Sequence, residues 1–261
     1  MNLLQKAIIA TALSLTLAAP VVAHQTFLAP EKFNSAIGEQ VNLAITSALA
    51  YPNMEGGPSL DRIPFIHVML NGQKINNLTF TENETYMNAS FTADNAGFAT
   101  AAMSSKRRFG EIKPEEAANY LDAIGVNDKV KAAFLAQDGT PVLNRSYNKH
   151  TKTFFCVETC GAGKQIAYEA VGQALEFVAS NEAANHFILL LNGKPLVGHD
   201  VTVVSPGADN LELNTNQSGA IDFDTSKMKS IMMTAVWVTL PEQVSGVYQI
   251  DYATLTVDFS K

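Results

Sequence analysis

Apolar residues recur along most of this chain with a period of two, the signature of strands that bury one face. Val41, Leu43 and Ile45 alternate with Asn42 and Ala44 after Gly38, which predicts a strand. Phe65 to Leu70 is a second strand, stopped by the Asn71-Gly72 turn pair. Thr79-Phe80 and Ala89-Ser90-Phe91 predict two more strands, one on each side of Asn83-Glu84, and Gly97 to Met103 completes the first set. Between them, Tyr51 to Asp61 carries Pro52, Gly56, Gly57 and Pro58 and reads as a long loop.

The period changes once. Pro114-Glu115-Glu116 opens a helix with proline near its first position and acids in its first turn. Ala117, Tyr120, Leu121 and Ile124 form its apolar stripe, and Gly125 sits where a terminating glycine belongs. Asn127 is placed to cap a second short helix through Val130 and Phe134. The helical insert is expected at about 111–137. After Asp138-Gly139 the chain returns to strand from Val142 to Val157.

A new run begins at Ala174-Leu175-Glu176-Phe177-Val178. It continues with Phe187–Leu191, the turn Asn192-Gly193-Lys194-Pro195, and Val201–Val204. Leu211 and Leu213, the turn at Asn216–Gly219, Ile231–Val238 and Ala253–Phe259 follow. Short strands at this spacing predict an all-β chain of sandwich type. The expected division is 24–160 for the first module, with the helical insert, and 174–261 for an independently folding second sandwich.

Residues 1–23 change the picture of the amino terminus. Lys6 precedes an apolar run from Ala7 to Ala19, Pro20 breaks it, and Val21 and Ala23 are small residues suited to a signal peptidase. This predicts export, hence a periplasmic protein whose mature chain begins at His24. The run is too short for a transmembrane helix, and no later stretch is long enough for one. A first-residue histidine offers an α-amino group and an imidazole to one metal ion, and imidazole suits nickel, cobalt, copper and zinc alike. It is also what any residue after a cleavage site would be, exposed and frayed. The formal charge of −7, without a basic stripe, argues against nucleic acid.

The two cysteines, Cys156 and Cys160, are expected to pair in an exported chain, provided that the backbone turns at Val157-Glu158-Thr159. A soft-metal site is the alternative. The candidate metal ligands are His24, His67 and His150. His67 lies mid-strand between two largely apolar faces, which equally suits a core histidine. His150 ranks below it because Lys149 and Lys152 flank it. No Gly-x-Ser-x-Gly or His-Glu-x-x-His occurs, so an enzyme is not expected.

Several of these segments, taken in order, resemble the periplasmic NikM-like proteins associated with nickel and cobalt uptake. They are His24-Gln25-Thr26-Phe27-Leu28-Ala29-Pro30, the insert Pro114 to Gly125, the basic aromatic strand Arg145 to Lys152, Gly172 to Val178, Asn192 to Gly198 and Tyr252 to Val257. Gln25 departs from the pattern, standing where an acidic residue is common, and so does the cysteine pair. The resemblance implies two Ig-like or transthyretin-like sandwiches and a part in binding or delivering a transition metal, beside a membrane metal transporter. Two other functions stay open: a structural or interaction module without catalysis, and a copper enzyme built on a histidine brace.

Overall fold

The computed structural model describes residues 24–181, 183, 185–243 and 245–260. The predicted signal peptide lies outside them. The first sandwich layer is an antiparallel sheet in the order Gln25–Pro30, Gln40–Ala48, Met87–Thr92, Thr79–Glu82. Its alternation matches the sequence: Val41, Leu43 and Ile45 are buried against Val68, Ala101 and Phe155 of the facing sheet. Each large side chain so buried contributes roughly 1.5–3 kcal/mol.

That facing sheet is the spine of the molecule. The strands Phe65–Leu70, Gly97–Ser104 and Leu143–Val157 continue directly into Tyr248–Asp258, Ser230–Thr239, Asp200–Val204 and Leu211–Asn214. The junction is a parallel pairing of Arg145–Thr153 with Tyr248–Thr256. Leu175–Ala179, His186–Leu191 and Ala220–Asp222 form a third sheet over the second half. The fold is therefore all-β, a sandwich to either side of one shared sheet. The core of the second half draws Phe98, Phe154 and Cys156 from the first as well as Leu175, Phe177 and Leu255 from its own strands.

Two helices stand out from the strands as expected. Helix α1 spans Pro114–Ala123, with proline in its first turn and Gly125 at φ +69 just beyond its end. Helix α2 spans Asp128–Leu135, and the Asn127 side chain accepts a hydrogen bond from the Val130 amide at 3.0 Å. The expected insert was too long at its start: Arg108–Ile112 is a strand, paired with Leu143–Tyr147. Its residues are mostly exposed and show no alternation, so only its partner makes it a strand.

The cysteines are joined, Cα to Cα 5.2 Å. The chain reverses between them through Glu158 at φ +56 and a 2.6 Å hydrogen bond from the Thr159 amide to the Val157 carbonyl. Among the described residues no helix is long and apolar enough to cross a membrane.

Candidate functional site

The central strand Leu143–Val157 explains where the candidate residues go. Successive side chains of a strand face opposite ways. Arg145, Tyr147 and Lys149 therefore face the helical insert, while His150 and Lys152 face the core of the second half. The basic aromatic stretch of the sequence is two separate arrangements, one on each side of the sheet.

His24 lies at the edge of the first arrangement. It precedes the Gln25–Pro30 strand, which is tied to the closing strand where Thr254 Oγ1 donates to the Thr26 carbonyl at 2.8 Å. Its exposed imidazole places Nε2 3.2 Å from Glu55 Oε2. The same carboxylate oxygen accepts the Leu49 amide at 3.2 Å. Glu55 reaches this position because the long loop folds back along Gln40–Ala48, with the Ser47 and Gly56 backbones exchanging bonds of 2.8 and 3.2 Å. The His24 carbonyl accepts a 3.0 Å hydrogen bond from Lys149 Nζ.

Beside His24 opens a cleft of ≈ 480 Å³ whose walls include Asp122, Gly125, Asp200, Glu212 and Tyr252. The carboxyl end of α1 points the negative end of its dipole toward this space. Asp200 and Glu212 come from the second half of the chain, which folds back to His24 across the shared sheet. The cleft is thus acidic along one wall, with Asp122, Asp200 and Glu212 among its lining residues.

The Tyr120 and Tyr147 rings both pack on the Arg145 guanidinium, with ring centres 4.7 and 4.5 Å from its carbon. Arg145 Nη1 donates to Tyr120 Oη at 2.9 Å, and the Tyr120 and Tyr252 hydroxyls lie 2.6 Å apart. Burial raises both of these tyrosines above their ordinary range. Lys149 sits 5.9 Å over the Tyr252 ring. Its ammonium is pushed down to about 8, first by burial and then by Arg62, Arg145 and Arg108.

On the other face, His150 is buried with both ring nitrogens engaged, Nδ1 to Ser104 Oγ at 2.9 Å and Nε2 to Asp251 Oδ1 at 3.3 Å. Asp251 also accepts from Arg107 at 2.5 Å. Further along, Lys152 and Glu176 form an ion pair, each with about 1% of its side chain exposed. Glu176 accepts three backbone amides as well, Val171 at 2.7 Å and Gly172 and Gln173 at 3.1 Å each. Burial draws Lys152 below its ordinary value despite that carboxylate. Lys149, expected to crowd His150, instead faces the opposite side of the sheet, and Lys152 is spent on Glu176.

His67 lies across Ala102 from this pair, half-buried and stacked on Phe65 at 6.3 Å. Burial lowers its pKa first, then Lys74 and Lys152, against a raising effect from Glu176. His24 is therefore separated from His67 and His150 by the sheet itself. Among the described residues, no three His, Cys, Asp or Glu side chains converge so as to hold a metal ion. Glu55 had no signal in the sequence beyond lying in a loop, and Glu212 reads there as an ordinary exposed strand residue.

Fold and cleft define the class: an all-β double sandwich whose first described strand opens on a partly acidic cleft. The chain belongs to the family described as a domain of unknown function, DUF4198, whose model matches residues 21–239. No curated protein matches it. Among solved structures it is similar to the D0-D1 domain of intimin, at 10% identity over 90% of this chain and 100% of that one, with a TM-score of 0.23. It is similar also to SGBP-B of a Bacteroides ovatus mixed-linkage glucan utilization locus, solved with a mixed-linkage heptasaccharide, at 12% identity over 85% of this chain and 43% of that one (TM-score 0.21). Trypsin-activated alpha-2-macroglobulin from Escherichia coli matches at 11% identity over 93% of this chain and 16% of that one (TM-score 0.23).

Proposed function

We propose that this is an exported, periplasmic protein that binds one transition metal ion at His24 and passes it to a membrane metal transporter. The observation that carries the reading is the 3.2 Å contact between His24 Nε2 and Glu55 Oε2. A carboxylate on one ring nitrogen fixes the tautomer and orientation of a ligating imidazole. Here it engages Nε2 and leaves Nδ1, the nitrogen that forms a chelate with the α-amino group of the same residue. Removal of residues 1–23 supplies that amine.

The surroundings suit cargo rather than a permanent structural ion. Carboxylates along one wall of the cleft draw cations toward His24. Lys149, 3.0 Å from the His24 carbonyl, opposes a bound cation and limits its affinity. Two protein nitrogens leave other coordination positions to water or to an acceptor's ligands, which favours release. The metal is one of the nickel, cobalt, copper and zinc class, and affinity alone would rank copper first.

The test is calorimetric titration of the chain beginning at His24 with Cu(II) and Ni(II). One ion per chain is expected, with His24→Ala weakening binding most among the histidine substitutions and Glu55→Gln weakening it about 10–100-fold. A chain carrying one extra residue before His24 keeps the imidazole but moves the amine, and should lose affinity comparably. Equal binding by that extended chain and by His24→Ala would overturn the proposal.

A further inference from the structure

The helical-insert face of the central strand gathers four cations. Arg145 and Lys149 lie on the strand itself, and Arg108 comes from the paired edge strand, with its guanidinium carbon 6.0 Å from the Tyr147 ring centre. Arg62 ends the short turn Leu60–Arg62, whose last carbonyl accepts the Lys106 amide at 2.9 Å. The other three all act electrostatically on Lys149. Among the described residues, none of the four forms an ion pair with a carboxylate.

That is an odd arrangement for a chain with 25 acidic and 18 basic residues. Like charges held together cost free energy unless a counter-charge relieves them. One nearby acid is engaged elsewhere: Asp251 serves Arg107 and His150 on the far face. The recess of ≈ 460 Å³ beside Arg145 includes Glu111, which pairs with none of the four cations.

The Arg145 side chain is held as a receptor group would be. Two tyrosine rings pack on its guanidinium and hold the group in place. One edge nitrogen donates to Tyr120, whereas the buried Nε has no partner. A fixed guanidinium edge is the group that recognises carboxylate and phosphate oxygens in pairs.

We propose that Arg62, Arg108, Arg145 and Lys149 form a binding site for a small multivalent oxyanion, a polycarboxylate or a phosphate. The anion sits over the edge of the stacked Arg145 guanidinium and supplies the negative charge that the four cations lack. Arg108, exposed on the edge strand, closes the outer side. The inference does not rest on the metal reading, although the two share Lys149, which donates to the His24 carbonyl; neither the amine nor the imidazole of His24 takes part.

Titration of the purified protein at low ionic strength tests it, with citrate in one arm, inorganic phosphate in the second and chloride as the control. One citrate or one phosphate per chain is expected, and which of them binds names the source of the oxyanion. Arg108→Gln and Lys149→Met should each weaken binding about tenfold or more. Without anion, Lys149→Met should unfold at the same or a higher temperature than the parent, because it removes an unrelieved like charge; adding the anion should raise the parent's Tm. Arg108 is exposed, so Arg108→Gln decides the matter if the lysine variant does not fold. Absence of saturable binding by both anions, or binding that Arg108→Gln leaves unchanged, would overturn the proposal.

Discussion

At the scale of single residues, the costliest feature is the Lys152–Glu176 pair. Two charges in the interior are tolerable only when their remaining hydrogen-bonding capacity is met. Here it is unevenly met: Glu176 holds three backbone amides besides the lysine, whereas Lys152 has the carboxylate. The two truncations should therefore differ. Lys152→Met leaves a carboxylate that still accepts three amides, and should cost about 3 kcal/mol, the lower end for a broken buried pair. Glu176→Ala strands an ammonium and three amides together and should cost about 5 kcal/mol or more. Urea unfolding at neutral pH measures both; equal losses would mean that the amides do not support the carboxylate. Those amides belong to the connector between the halves, so the pair fixes that connector as well as the core.

Among the elements, the loop from Tyr51 to Asp61 matters most because it delivers Glu55 to His24. It lies so close to the neighbouring strand that a Cβ on Gly57 would stand 2.5 Å from the Met87 nitrogen and the Tyr86 carbonyl carbon. Backbone cannot yield there as a flexible side chain could, so any larger residue must lift the loop. Gly57→Ala is expected to destabilise the protein by about 1–3 kcal/mol through overpacking. It should also move Glu55 away from the imidazole. If the proposed function holds, metal affinity in that variant should fall toward that of Glu55→Gln, although neither His24 nor Glu55 has changed. A variant with unchanged affinity would show that the carboxylate does not orient the imidazole. Thr46 on the strand beneath reaches the same loop, its hydroxyl 3.5 Å from the Gly56 carbonyl while donating to the Thr85 carbonyl at 2.7 Å.

For the molecule as a whole, the shared sheet decides how the halves depend on one another. The strand Tyr248–Asp258 pairs on one side with Ser230–Thr239 and on the other with the central strand of the first half. Separating the halves would bare that second edge and uncover Leu255 and Val257, which pack in a cluster with Phe154 and Phe98. An open edge with apolar residues beside it favours association rather than a folded monomer. A fragment of residues 174–261 is expected to lack a cooperative urea transition, whereas the intact chain shows one. Cooperative unfolding of a monomeric fragment would show that the second sandwich is stable without its neighbour, as its strand pattern alone suggests.

What the sequence determined by itself was local. The alternation of Val41, Leu43 and Ile45 settled a strand and its buried face. Asn71-Gly72 and Asn192-Gly193 settled hairpin turns, with both asparagines at φ +50. Pro114, Gly125 and Asn127 marked the helix ends, because these residues act on backbone groups within a turn of themselves. The Cys156–Cys160 bond belongs to the same class, four residues apart with a reversal between. Tertiary structure alone decided the rest. Arg108–Ile112 is a strand because Leu143–Tyr147 pairs with it, and nothing in its own pattern says so. The stretch from Arg145 to Lys152 reads as one basic aromatic strand, yet the pleat sends Lys149 to His24 and His150 to Asp251, which is 101 residues away. Glu55 meets His24 through the fold-back of a loop whose composition marked it only as a loop. Alternation tells which side chains share a face, but not what covers that face; the pairing of Arg145–Thr153 with Tyr248–Thr256 brings the distant partners together.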